Sequence, residues 1–203
     1  SFPTRRSSDL GRGAASRLLA GVTRASGAVA GLVGITPAAG FVGPQAALAD
    51  LYVNKKIMVC PLPQPTHNTP EQIATVVAMW QATGGLVYQM DLQAHDAIFA
   101  AVSHVPHVLA YALMNHVADS NLSDDKFAMA GAGFRDFTRI AAASPEMWRD
   151  VCLNNREAIL HDLDVYLAHA QQLRDKIAAS DADGILSEFT RASEKRLAWG
   201  KGQ

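Results

Sequence analysis

The sequence has little charge of either sign, few cysteines and few aromatic residues. Of its 203 residues, 18% are charged, and the formal net charge is −1. Such a chain lacks the basic surface that nucleic-acid binding needs, so we expect no nucleic-acid partner. The two cysteines, Cys60 and Cys152, have neither CxxC nor metal-ligand spacing. We therefore expect them to be small buried side chains in a reduced, cytoplasmic protein.

Charge is absent altogether between Arg24 and Asp50. Residues 1–24 lack periodicity and are predicted to be an unstructured or artefactual tail. Residues 25–43 form a glycine-rich apolar segment in which Gly27 and Gly31 give the GxxxG spacing of membrane helices. We favour a foreign apolar segment over a working membrane span, so we expect no membrane partner.

Strand and helix signals follow from Gly43 onward. Residues 44–63 contain a short β-type run at 56–60, and residues 86–90 predict a second strand. Residues 64–203 are otherwise predicted to be helical, which makes the fold mainly α. The predicted helices begin after Thr69 (with a Thr-x-x-Gln capping box), after Asp91, and at Ser144, the last running to about Ala179; a final helix covers roughly 184–198.

One apolar helix carries an unusual number of polar groups. Residues 97–118 contain no formal charge, and Pro106 predicts a kink near Ser103. Buried polar groups are costly unless they are bonded, so His95, Asp96, His104 and His107 are either satisfied core residues or the wall of a polar site.

Two residues beyond this helix suggest a ligand class. Arg139 suits a carboxylate bidentately, and Trp148 offers a large flat surface. With His107, they fit a small, ring-shaped, carboxylate-bearing ligand. The alternative for Arg139 is an ordinary solvated pair with Asp136.

Four motifs in this order resemble those of prephenate dehydrogenases, over about residues 43–200. They are His95-Asp96, Ser103-His104-Val105-Pro106-His107, Gly131-Ala132-Gly133-Phe134-Arg135-Asp136-Phe137-Thr138-Arg139 and Ser144-Pro145-Glu146-Met147-Trp148-Arg149-Asp150. Residues 43–52 and the run up to Pro61 resemble the end of that family's nucleotide-binding domain.

The resemblance implies a helical C-terminal dimerisation domain preceded by a remnant of an α/β nucleotide-binding domain. It implies a homodimer, and a reaction of tyrosine biosynthesis that converts prephenate to 4-hydroxyphenylpyruvate with NAD or NADP. By motif position, Arg139 binds the substrate carboxylate, His107 helps to hold the substrate, and Trp148 lines the pocket. Ala132 stands at a substrate-site position where the family usually has glycine. The remaining motif residues are expected to form a structural polar core: His95, Asp96, Ser103, His104 and Asp136.

Two family features are missing from the sequence. No G-x-G-x-x-G follows a strand, and no histidine precedes His67, whereas the family's catalytic histidine lies upstream of the resemblance. We therefore expect a truncated dehydrogenase that has no cofactor site and no catalytic histidine and is inactive alone. The choices between NAD and NADP, and between prephenate and arogenate, stay open.

Other interpretations remain. Residues 25–44 resemble a segment of ammonium transporters, which suggests a membrane fragment. His67, His95 and Asp96 suggest a helical metal-dependent hydrolase, and His104 with His107 suggests zinc, although we expect no metal because further ligands are lacking. The helices also suit a dimerisation module without a ligand.

Overall fold

The computed structural model describes residues 30–33, 50, 52–61 and 69–200, with the backbone alone for 30–33. The chain divides into two compact units, Ser1–Ile159 and Leu160–Gln203. Residues 46–52, which the sequence predicts to form a short helix, lie mostly outside the described residues.

A small sheet forms the start of the first unit. Its strands are β1 (Ala30–Val33), β2 (Lys56–Pro61) and β3 (Leu86–Gln89) in the order β1-β2-β3. β2 pairs antiparallel to β1 and parallel to β3. The two strands predicted from the sequence are therefore confirmed. In contrast, residues 30–33, which lie in the segment with membrane-helix spacing, are extended and paired with β2.

The central strand of the sheet, β2, is buried. Ile57, Val59 and Cys60 are fully buried. Helix α1 (Pro70–Ala82) joins β2 to β3 and begins with the predicted capping box, in which the Thr69 hydroxyl accepts from the Gln72 amide. A turn with Gly84 at φ +82° ends the connection. A Cβ on the buried Gly85 would lie 2.3 Å from Ile57 Cδ1, so glycine lets this turn approach β2 closely.

The apolar helix identified in the sequence has three parts. Helix α2 (Leu92–Phe99) is capped by Asp91, a π-helical turn covers Ala100–His104, and helix α3 (Val105–Ala118) follows. The expected kink near Ser103 is thus a widened turn directly before Pro106. Within the described residues, Leu92–Ala118 is the one stretch whose length and composition would allow it to cross a membrane, a test that core helices of soluble proteins also pass.

Short helices pack against α3. They are α4 (Ser123–Ala128), α5 (Ala132–Thr138) and a 3₁₀ turn (Arg139–Ala142). Helix α6 (Pro145–Asn154) follows and touches α3 through the ring of Trp148. The Tyr111 hydroxyl of α3 donates to the Ala143 carbonyl at 2.8 Å, which ties the end of the 3₁₀ turn to the long helix.

The single helix predicted from Ser144 to Ala179 is wrong. It is interrupted at Asn155, whose φ of −107° and ψ of 34° end α6, and a new helix α7 (Arg156–Ala178) begins at the next residue. In the second unit the rest of α7 is followed by α8 (Ala182–Gly200), which contains the predicted final helix. Lys176 and Glu188 form a 3.0 Å ion pair there.

Candidate functional site

A buried indole ring is the centre of the polar cluster. Trp148 lies in the first turn of α6, whose start is capped by the Ser144 hydroxyl accepting from the Met147 amide at 3.3 Å. Its ring stacks on His107 with centroids 3.6 Å apart, and it makes a T-shaped contact with His104 with centroids 5.9 Å apart. The structure therefore brings together three of the residues singled out from the sequence, from α3, the π-helical turn and α6.

Asn155 connects this cluster to α2, and the sequence analysis did not identify it. Its Nδ2 donates to the Asp96 carbonyl at 2.9 Å and lies 3.1 Å from His104 Nδ1. The available signal was the Asn154-Asn155 pair inside the predicted helix, since asparagine competes for backbone hydrogen bonds and favours helix ends. Helical periodicity alone could not show what its side chain bonds.

His107 is oriented by the backbone of the π-helical turn. Its Nδ1 donates to the Ser103 carbonyl at 2.8 Å. Burial lowers the pKa of His107, and the charge of Arg139 lowers it further, against the opposing effect of the Ser103 hydrogen bond. The imidazole is therefore mostly neutral at pH 7.

His104 is neutral for a related reason. Burial is the main cause that lowers its pKa, repulsion from His95 and His107 adds to this, and the Asp96 carboxylate opposes it. The cluster at neutral pH thus consists of two uncharged imidazoles against an uncharged indole.

Two ring nitrogens are buried without a hydrogen-bond partner among the described residues. One is His95 Nε2; the other nitrogen of that ring bonds Asp96 Oδ1 at 2.8 Å, and the ring stacks on Phe99. The second is Trp148 Nε1. Unpaired buried polar atoms are rare in folded proteins, so they mark positions where a further group would fit.

Arg139 lies at the edge of this cluster. It is the first residue of the 3₁₀ turn, it is exposed, and no ion pair neutralises it within the described residues. The alternative pairing with Asp136 does not form there. Asp136 is exposed, so it lies outside the buried polar core in which we expected it.

The glycine motif beside Arg139 faces open space. Ala132 is exposed at the start of α5, and a Cβ on Gly131 or Gly133 would meet nothing within 4 Å. The extra methyl group of Ala132 therefore does not crowd its own loop. This motif follows helix α4, whereas a dinucleotide-binding glycine turn follows a strand, so it does not fit a nicotinamide cofactor's phosphates.

A metal site needs several histidine, cysteine or carboxylate side chains close together. Within the described ranges, no group of three or more histidine, cysteine, aspartate or glutamate side chains could hold a metal ion. His67 of the hydrolase interpretation lies outside those ranges.

Comparison with known proteins finds relatives of the helical part of the chain. Residues 91–191 match the family described as prephenate dehydrogenase, dimerization domain. Over this range the chain is similar to that dimerization domain. The matched range runs from the cap of α2 into α8 and includes every residue of the ring cluster.

Relatives extend the likeness beyond the dimerization domain. A cyclohexadienyl dehydrogenase of Zymomonas mobilis is 34% identical over 158 residues, which cover 77% of this chain and 53% of that protein. A prephenate dehydrogenase of Bacillus subtilis is 31% identical over 155 residues, 76% of this chain and 41% of that protein. The chain spans about half the length of these curated relatives.

A solved structure shares the fold. The prephenate dehydrogenase of A. aeolicus, in complex with hydroxyphenyl propionate and NAD+, superposes with a TM-score of 0.73 at 29% identity, covering 80% of this chain and 56% of that one. The prephenate dehydrogenase resemblance and the mainly helical fold class are confirmed. The ammonium transporter resemblance is not supported.

We predict that the ring cluster makes folding stability depend on pH. Because the pKa values of His104 and His107 are lowered from 6.5, the unfolded chain takes up protons at a higher pH than the folded chain. Their contribution to stability is complete above that value and is lost as the pH falls through 6.5 towards the folded-state values. Urea unfolding from pH 8 to pH 5 measures this dependence.

Removing one of these rings tests the assignment. His104→Gln or His107→Gln should flatten the loss of unfolding free energy on acidification. The matched control, His169→Gln, removes an exposed histidine outside the cluster. An unchanged pH slope in both cluster variants would contradict the prediction.

Proposed function

We propose that residues 91–191 supply the substrate side of a prephenate dehydrogenase site, in which prephenate undergoes NAD- or NADP-dependent oxidative decarboxylation to 4-hydroxyphenylpyruvate. The observation that carries the proposal is an unpaired Arg139 beside the stacked rings of His107 and Trp148. The similarity of residues 91–191 to the prephenate dehydrogenase dimerization domain and the similar curated proteins support it. The protein would then act in tyrosine biosynthesis in the cytoplasm.

The described residues divide the recognition of such a ligand into two tasks. Arg139 presents a rigid fork of N–H donors that fits a carboxylate bidentately. The Trp148 ring, held in place by His107, provides an aromatic surface for the ligand ring. Because both imidazoles are neutral at pH 7, Arg139 is the cation of this cluster that attracts an anionic substrate.

The chain on its own is proposed to bind substrate without oxidising it. The reaction needs a nicotinamide cofactor to accept hydride, and the described residues offer no turn that fits its phosphates. They also offer no candidate for the family's upstream catalytic histidine.

We predict that Arg139→Ala weakens binding of hydroxyphenyl propionate, the ligand in the A. aeolicus complex. Once a bound ligand covers Arg139, loss of this partner of a buried charge pair is expected to cost about 2–5 kcal/mol, which is a reduction in affinity of roughly thirtyfold or more. The measurement is an NMR titration that follows the indole N–H signal of Trp148.

Arg135→Ala is the matched control, since Arg135 is an exposed arginine one helical turn earlier. It should keep the parent affinity. Equal binding by the parent and Arg139→Ala would remove Arg139 from the site, and absence of binding by the parent would favour a dimerisation module without a ligand.

The purified chain is also predicted to produce no reduced cofactor from prephenate and either NAD or NADP, because its described residues offer no site that fits the hydride-accepting cofactor. The assay is the absorbance of the reduced nicotinamide. Steady turnover that scales with protein concentration would contradict this part of the proposal.

Homodimerisation is proposed from the exposed apolar residues of α7 and α8. Within the second unit, several large apolar side chains are exposed: Leu160, Val165, Tyr166, Leu167, Ile177, Leu186, Phe189, Leu197 and Trp199. Leu186, Phe189 and Leu197 recur at helical spacing on α8. Exposed apolar residues at such density are typical of an interface, and the family name supports a second copy as the partner.

We predict a dimer at micromolar concentration and its dissociation by Leu186→Glu combined with Phe189→Glu, because burying two carboxylates would oppose association. Size-exclusion chromatography with light scattering gives the mass. Thr190→Glu combined with Ser187→Glu adds the same charge at exposed polar positions of the same helix and should leave the dimer intact. A monomeric parent chain would contradict the proposal.

A further inference from the structure

The orientation of the Asn155 side-chain amide is determined by a backbone group. The amide faces the Asp96 carbonyl at 2.9 Å. A carbonyl oxygen can only accept, so the amide atom nearest to it must be the Nδ2 donor. The choice between the two amide orientations therefore follows from chemistry alone.

This orientation determines the tautomer of His104. The same Nδ2 lies 3.1 Å from His104 Nδ1. Because Nδ2 has only hydrogens to offer, His104 Nδ1 must accept, and the proton of the neutral ring must be on Nε2. The Nε2 atom of His104, on the side of the ring away from Asn155, is therefore a hydrogen-bond donor.

His107 has the opposite tautomer. Its Nδ1 faces the Ser103 carbonyl at 2.8 Å, and a carbonyl only accepts, so the His107 proton lies on Nδ1. In the neutral ring, Nε2 then carries a lone pair. Within residues 69–200, neither Nε2 has a hydrogen-bond partner, so both remain available to a ligand.

We propose that Asn155 is a positioning residue that holds His104 as an Nε2–H donor, so that the site presents a donor from His104 and an acceptor from His107 next to the Trp148 ring. This inference deepens the proposed function and rests on it for the nature of the ligand. It makes no use of the cofactor.

The two tautomers determine which group of the ligand each imidazole can bind. A carboxylate has no hydrogen to give to His107 Nε2, so it pairs with Arg139, whereas a hydroxyl group can donate to His107. An oxygen acceptor of the ligand suits His104. A hydroxyl group of the ligand is therefore the proposed partner of His107.

The titratable groups that act on His104 are known. They are His95 and Asp96 from α2 and His107 from α3. Trp148 of α6 makes a T-shaped contact with the His104 ring and carries no charge. Asn155 is neutral, so replacing it by aspartate adds one new charge directly at Nδ1 and leaves these others unchanged.

The first test is the protonation pattern of the parent chain. Two-bond ¹H–¹⁵N correlation spectra of the full chain at pH 7.5 distinguish the two tautomers of each ring, with signals assigned by single His→Gln variants. The expected result is Nε2–H for His104 and Nδ1–H for His107. The same tautomer in both rings would overturn the proposal, whether or not a ligand binds.

The second test is a pair of matched variants. Asn155→Asp places a carboxylate against His104 Nδ1 and should raise the pH midpoint of His104 by about 1–3 units, with a proton appearing on Nδ1. Asn154→Asp adds the same charge at the adjacent residue, whose own side chain bonds the Asp150 carbonyl, and should shift the midpoint much less. Equal shifts in the two variants would show that the side chain at position 155 does not contact His104 Nδ1 and would overturn the proposal.

These readouts separate this inference from the proposed function. Correct tautomers without binding of hydroxyphenyl propionate would contradict the ligand assignment and leave the role of Asn155 in place. Binding of hydroxyphenyl propionate with the same tautomer in both rings would support the ligand assignment and contradict the role of Asn155.

Discussion

The site depends on a constraint from Pro106. A proline inside a helix has no N–H to donate and its ring crowds the preceding turn. The helix responds with a π-helical turn over Ala100–His104, after which α3 resumes. His104 and His107 lie on either side of this change and both reach Trp148, while the Ser103 carbonyl remains accessible to the His107 ring. A π-helical turn in a functional helix is a common way to redirect side chains.

The sequence predicted features whose signal is local. The Thr69 capping box, the Asp91 cap and the strands at 56–61 and 86–89 depend on residues close together in the chain, and all are present. The pairing of residues 30–33 with β2 is a contact between distant segments, which apolar composition alone could not indicate.

The site was predicted in part for the same reason. The sequence brought attention to His104, His107 and Trp148, and the structure places these rings in contact. Asn155 was missed because its bonds reach 59 and 51 residues back along the chain. Helical periodicity of apolar residues does not reveal a residue such as Asn155. Its position ends helix α6, and its side chain contacts the His104 ring. Asp136 was misplaced because a motif gives order along the chain and not burial.

Neutral rings beside a single exposed arginine make a selective arrangement. If His107 were charged, it would attract any anion, and its stacking on Trp148 would place a cation in a partly buried environment. Because His107 is neutral, Arg139 provides the positive charge of the proposed site. The two imidazoles provide one hydrogen-bond donor and one acceptor. The unpaired Trp148 Nε1 adds a donor that the described residues do not use. An unmet donor costs stability, and an acceptor group of the proposed ligand would offset that cost.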